Sequence, residues 1–203
     1  MRTLVIGATG LVGGAAADAL EAYGDEVLRA SQSSALAVDV LDASSVAALL
    51  DRVTTDGPLD AVVCAVGSVP FKPLADLGAE DYLAAYRGKV ASQVDVTRLA
   101  TPHLVDAGSI TLTTGVLARE PIRTGAAAAL ANGAVESFVV SAAAELPRGL
   151  RINAVSPTVL VEATGYHPFF PGFAQVSAAE VGQAFVKAVH GVQTGQVHAL
   201  DGR

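Results

Sequence analysis

The glycines near the start of the chain have the spacing that binds phosphate. Gly7-Ala8-Thr9-Gly10-Leu11-Val12-Gly13-Gly14 lies between a β-rich run, Arg2 to Ile6, and a helical pattern that begins at Leu11. In such a loop Gly7 permits the tight turn, Gly10 lets the backbone approach a pyrophosphate, and Gly13 lets the helix pack closely on the sheet. Thr9, Leu11 and Val12 complete the candidate binding loop. The helix start offers the anion its unpaired N–H groups and the positive end of its dipole. The other reading is a glycine turn kept for packing alone. About 20 residues further on, NAD-binding folds place an acid that holds the ribose hydroxyls. Here Arg29, Ser31, Gln32, Ser33 and Ser34 occupy the stretch, and nothing acidic lies between Glu26 and Asp39. A missing carboxylate removes the repulsion against a 2′-phosphate, which favours NADP(H) over NAD(H). The serines also read simply as a turn.

The elements that must position this loop follow from periodicity and punctuation. Strands are expected at Arg2 to Ile6, Glu26 to Ala30, Leu36 to Val40, Leu59 to Val66, Ser109 to Thr114, Arg151 to Val155 and Gln196 to Leu200. Leu59 to Val66 is apolar throughout, as in a strand buried on both faces. Helices are expected from Leu11 to Tyr23, from an Asp42 cap to Leu50, from Ala79 to Leu104 with an interruption near Gly88, and from Gly125 to Leu146. Ser177-Ala178-Ala179-Glu180 is a capping box that opens a last helix to His190. Strand and helix alternate along the whole chain, which argues for an α/β fold with a doubly wound parallel sheet. With no linker, repeat or low-complexity boundary, residues 1–203 read as one domain. Val161 to Gln175 is the least regular stretch, rich in aromatics and proline. Such a loop after a strand's C-terminal end is where these sheets place ligands; its aromatics also suit a cover for the core.

Composition narrows the partners. The chain has 203 residues, 51% hydrophobic and 16% charged, which suits a sizeable core and argues against disorder. Aromatics are only 5% and Trp is absent, so Ala, Val and Leu must build that core. A net charge of −7 argues against nucleic acid and anionic membrane surfaces as partners. No apolar run reaches the ~18 residues of a membrane helix, and no targeting segment is visible. The single Cys64 excludes an internal disulfide and fits a reducing, cytoplasmic setting. No metal site is expected.

Several stretches, taken in order, resemble the short-chain dehydrogenase/reductase family. They are the glycine loop, Asp39-Val40, Cys64-Ala65-Val66-Gly67, Gly108-Ser109-Ile110, Arg151-Ile152-Asn153-Ala154-Val155-Ser156-Pro157, and Gly195-Gln196-Val197 with Asp201-Gly202. The resemblance spans the chain and implies a Rossmann-type three-layer αβα fold. It implies cofactor contacts at Asp39, Val40, Ala65, Val66, Gly67 and Pro157 beside the glycine loop and Ser31 to Ser33. It also implies a homodimer or homotetramer built from the two long central helices. That family uses Asn, Ser, Tyr and Lys for catalysis. Here the matching positions hold Lys89, Gly115, Ala128 and Asn132. The Lys and Asn look exchanged, so Lys89 and Asn132 are expected to face each other across the site, with Lys89 also near the cofactor ribose. The alternative is a solvated Lys89 and a drifted Asn132. Glu162 stands where the family has a Thr that binds the nicotinamide.

A reductase needs an acid near the developing alkoxide, and neither Ala128 nor Gly115 supplies one. Thr113 and Thr114 are the nearest hydroxyls; Glu162, Tyr166 and His167 are the nearest titratable groups on the loop. Lys89, Thr114, Asn132 and Tyr166 are therefore the candidate catalytic residues. Three functions stand: an NADP(H)-dependent oxidoreductase acting on a small carbonyl or alcohol with an unusual proton donor; a non-redox isomerase, cyclase or dehydratase in the same pocket; or a catalytically silent nucleotide-binding domain.

Overall fold

The computed structural model describes residues 1–202. Seven strands form one parallel sheet in the order β3-β2-β1-β4-β5-β6-β7. They are β1 Arg2–Ile6, β2 Glu26–Ser31, β3 Leu36–Ala37, β4 Leu59–Cys64, β5 Leu104–Thr113, β6 Arg151–Pro157 and β7 Val197–Leu200. The helices are α1 Leu11–Tyr23, α2 Ala43–Val53, α3 Ala79–Ala85, α4 Ser92–Ala100, α5 Ala126–Glu145 and α6 Ala178–His190.

Side chains of successive strand residues point to opposite faces, and this splits the core in two. Leu4 and Ile6 of β1 join Val62, Cys64, Ile110 and Leu112 under α2, α4 and α5. Val5 joins Ala61 and Val63 on the other face, under α1 and α6, where Phe185 is the largest buried side chain. With helices on both faces, the architecture is the expected Rossmann-type αβα sandwich. A methyl at Gly182 of α6 would lie 2.6 Å from the Ala15 carbonyl of α1. The Ala- and Gly-rich composition thus lets these two helices meet backbone to backbone.

The strand order reverses between β1 and β4. The chain winds outward from β1 to β3 and then crosses back to β4. A crevice opens at such a switch point, beyond the carboxyl ends of the strands. Gly7 follows β1 there and Ala65 follows β4; the Ala65 N–H donates to the Ile6 carbonyl at 2.8 Å.

Several boundaries differ from the sequence expectation. β3 is two residues long, because only Leu36 and Ala37 pair with β2 and the chain then turns toward the Asp42 cap. β4 closes at Cys64, two residues before the expected end. The helical run expected to reach Leu104 ends at Ala100, followed by a tight turn over Thr101–His103 that contains Pro102. β5 starts five residues early, with its pairing to β4 shifted between Leu59 and Ala61. Composition misled at one further point. α5 spans 20 residues and holds an 18-residue window of mean hydropathy 1.4, long and apolar enough to cross a membrane. It nevertheless carries Asn132 and Glu136, and it buries Ala127, Ala131, Val135 and Val139 in the core.

Candidate active site

The interruption expected near Gly88 is a π-helical stretch, Tyr86–Ala91, that joins α3 to α4 without a break. A side chain at Gly88 would strike the Ser68 carbonyl, and the Ser68 N–H donates to the Gly88 carbonyl at 3.1 Å. The loop after β4 therefore lies directly on the helix backbone. Single π turns of this kind mark functional sites in many helices. Here the turn sets Lys89 against Gly67: a methyl added at Gly67 would be 3.0 Å from Lys89 Nζ. One turn on, the buried Gln93 amide clamps the end of β5, donating to the Thr113 carbonyl at 2.8 Å and accepting the Thr113 N–H at 2.9 Å.

Two cavities meet at Gly67. The first, about 430 Å³, is lined by Gly7, Thr9 and Gly10, by Ser31, Gln32 and Ser33, by Val40, and by Ala65, Val66 and Gly67. Val38, Leu41, Ser68 and Gly88 also line it; sequence motifs did not single these out as contacts. Gly7 has φ +92°, and a side chain there would strike the Ala65 carbonyl. A side chain at Gly13 would strike the Gly7 carbonyl. Gly10 is the N-cap of α1, and no side chain caps the helix end. Leu11 is exposed, Val12 packs on the core and Gly13 is buried; these three expected contacts do not line the cleft. The serine stretch satisfies both of its readings. The Ser31 N–H donates to Ser34 Oγ at 2.9 Å, closing a turn, and Gln32 and Ser33 still line the cleft.

Two further expected cofactor contacts lie outside the first cavity. Asp39 does not line the cleft; its carboxylate turns back to accept the Leu41 N–H at 2.9 Å, closing the turn before α2. Pro157 lines the second cavity, because β4 and β5 lie between β6 and β1. Arg29 is bound on the surface to Asp18 at 2.6 Å and Glu21 at 2.9 Å.

The second cavity, about 260 Å³, gathers Lys89, Thr114, Gly115, Ala128, Asn132, Pro157 and Tyr166 within a mostly apolar wall of Val69, Phe71, Val116, Leu117, Leu160 and Phe170. The four positions singled out by the family resemblance thus surround one space. Among the described residues the Lys89 ammonium makes no hydrogen bond or ion pair, while the Lys89 carbonyl accepts from Ser92 Oγ at 3.3 Å. Burial pushes its ammonium down to about 8; the Cys64 thiol and Glu136 act in the opposite direction. Burial in turn pushes the Cys64 thiol up to about 12. Asn132 is 5% exposed, and its Oδ1 is buried without a partner.

Of the other candidate acids, Thr114 is corrected. Its hydroxyl donates to Glu136 Oε1 at 2.9 Å, so it offers the cavity no proton. Glu136 also accepts from Arg119 at 2.7 Å and from Ser156 at 3.0 Å. His167 Nε2 is bound to the Leu160 carbonyl at 2.9 Å. Glu162 caps α6, accepting the Ala178 N–H on both oxygens at 3.0 Å, and plays no part in the charge balance of Lys89. Tyr166 lines the cavity but is 56% exposed at its rim.

A profile of the family described as enoyl-(acyl carrier protein) reductase matches residues 7–198. A small-chain dehydrogenase solved in complex with NADPH is 25% identical, with a TM-score of 0.87 over 100% of this chain and 97% of its own. The chain belongs to the short-chain dehydrogenase/reductase family. The protein lin1944 from Listeria innocua is 43% identical, with a TM-score of 0.93 over 98% of both chains. The hydroxynaphthalene reductase-like protein Arp2 of Metarhizium brunneum is 30% identical over 151 residues, 70% of this chain. This chain spans 57% of that relative's length. The Gly7–Gly13 cradle, the uncapped start of α1 and the neutral lining of the first cavity fit the family's dinucleotide.

A larger hollow of about 1050 Å³ lies over α1, α6 and β7, and it shares no residue with the two cavities just described.

Proposed function

We propose that the protein is an NADP(H)-binding oxidoreductase that interconverts a small apolar carbonyl compound and its alcohol. It belongs on this reading to an atypical short-chain subgroup without the usual Ser and Tyr. The observation that carries the reading is the junction at Gly67, where a glycine-walled dinucleotide cleft opens into an apolar cavity beside a lysine ammonium. The solved NADPH complex of a relative supports the cofactor. When bound, the nicotinamide supplies the hydride.

The chain's own residues divide the remaining work. Gly7, Thr9 and Gly10 present backbone to the pyrophosphate, and the start of α1 adds its dipole. Ser31, Gln32 and Ser33 meet the adenosine ribose. No carboxylate is among the residues lining that cleft, so nothing there repels a 2′-phosphate. Val69, Phe71, Val116, Leu117, Leu160 and Phe170 exclude water from the reacting centre and select an apolar substrate. A cytoplasmic location and a homodimer or homotetramer complete the reading. The exposed Leu130 and Val140 on the outer side of α5 suit a partner helix.

Calorimetric titration tests the proposal directly. Saturable NADPH binding is expected, with NADH weaker by at least about tenfold. Consumption of NADPH should then depend on an added aldehyde, ketone or quinone. Binding of neither nucleotide would retire the reading. NADPH binding with cofactor-independent conversion of a substrate would move it to a non-redox enzyme.

A further inference from the structure

We propose that the Lys89 ammonium is the proton donor to the substrate oxygen, acting from the junction of the two cavities with the Asn132 amide beside it in the same pocket. The inference rests on the oxidoreductase reading and deepens it.

Carbonyl reduction leaves an oxyanion that must be protonated. Lys89 and Tyr166 are the ionisable side chains lining the second cavity. The Tyr166 phenol lies at the exposed rim, and its ring packs toward Phe71 at 6.5 Å. The Thr114 hydroxyl is already donated to Glu136. Lys89 differs from both in its place. Its Nζ lies against Gly67, the residue that both cavities share, so it stands where a nicotinamide and a substrate carbonyl must meet. A side chain at Gly67 would fill that place. The ammonium carries three donors with no carboxylate paired to them. Asn132 lines the same cavity, with its Oδ1 buried and without a partner.

The charged and titratable groups around Lys89 come from separate elements: Cys64 ends β4, Glu136 sits on α5 in the grip of Arg119, and Tyr166 follows β6. Burial outweighs the first two and leaves the amine near 8, so both protonation states are populated at working pH. In reduction the carbonyl carbon gains the hydride and the oxygen takes a proton from Nζ. The neutral amine then regains a proton from solvent. In oxidation the neutral amine takes the alcohol proton. Reduction should therefore fall as pH rises through about 8, and oxidation should rise over the same range.

The chain has three lysines, Lys72, Lys89 and Lys187, so trace acetylation read by mass spectrometry reports each one separately. Lys89 is expected to titrate near 8, and saturating NADP⁺ should slow its labelling at least about tenfold while leaving Lys72 and Lys187 unchanged. An ordinary titration near 10.5, or labelling indifferent to NADP⁺, overturns the proposal without any substrate being known. Lys89→Arg keeps the charge but holds its proton too tightly to give it up. It should bind NADPH within about threefold of wild type. Its reduction of 9,10-phenanthrenequinone or 4-nitrobenzaldehyde should fall about 100-fold or more. Undiminished turnover in Lys89→Arg would also overturn the proposal. Wild type that fails to bind NADPH would defeat the oxidoreductase reading itself, a result distinct from wild type that binds NADPH with an ordinary Lys89.

Discussion

Ser68 and Gly88 meet backbone to backbone across a π turn, with the Ser68 N–H on the Gly88 carbonyl at 3.1 Å. This one contact joins the two parts of the site. Ser68 continues the loop that leaves β4 beside the glycine cradle, and Gly88 precedes the lysine of the second cavity. Moving either backbone would separate Lys89 from Gly67.

The first prediction follows from that contact. Gly88→Val puts carbon atoms where the Ser68 carbonyl now lies. Overpacking of this kind costs about 1–3 kcal/mol, read as a lowered Tm. NADPH affinity should also fall, because Ser68 and Gly88 both line the cleft. A Gly88→Val protein with wild-type Tm and affinity would show that the contact yields freely.

The glycine cradle gives a cleaner separation of binding from folding. A methyl at Gly10 meets only the Gly7 carbonyl, at 3.4 Å, so the fold tolerates a side chain there. The same side chain would occupy the space of the pyrophosphate. Gly10→Leu should keep its circular dichroism and lose at least about 1.4 kcal/mol of NADPH binding, a tenfold weakening by calorimetry.

Cofactor preference should turn on the end of β2. Ser33 is exposed and lines the cleft. Ser33→Asp places a carboxylate against the 2′-phosphate. NADPH should bind at least about tenfold more weakly while NADH binds as well or better. Unchanged selectivity in parallel titrations would place the adenosine ribose elsewhere.

Stability against pH probes the burial of Lys89 from the other side. Its pKa in the folded protein, about 8, lies below its ordinary value of 10.5. Below pH 8 the amine is charged in both states, and the folded protein bears the full cost of burying that charge. Between about 8 and 10.5 the unfolded chain holds the extra proton, so folding gains stability as pH rises. Lys89→Met should therefore be more stable than wild type at pH 7, and the gap should close toward pH 10.5. Urea melts of both proteins across that range measure it. A constant gap would mean that Lys89 is well solvated.

Much of the fold was legible in the residues themselves. The alternation of apolar strands with capped helices led to the doubly wound sheet, and the expected sheet is present. Asp42 accepts the Ser44 N–H at 2.8 Å, and Ser177 and Glu180 form their reciprocal cap at the start of α6. These signals are readable because they act over three or four residues. β3 and the start of β5 were misplaced because pairing with distant strands, not local preference, sets where those strands begin and end.

The site divides the same way. The glycine loop declares itself because one short segment supplies turn, helix start and anion contact together. Spacing alone could not show that Thr114 spends its proton on Glu136, that Asp39 turns back to cap its own chain, or that Gln93 clamps the end of β5. It also could not show that a π turn seats Lys89 against Gly67. Each of these depends on groups that lie far apart in sequence or on separate elements and meet only once the layers have packed. A hydroxyl's partner and an amine's burial are properties of that packing, and so the chemistry of this cavity was decided by tertiary structure.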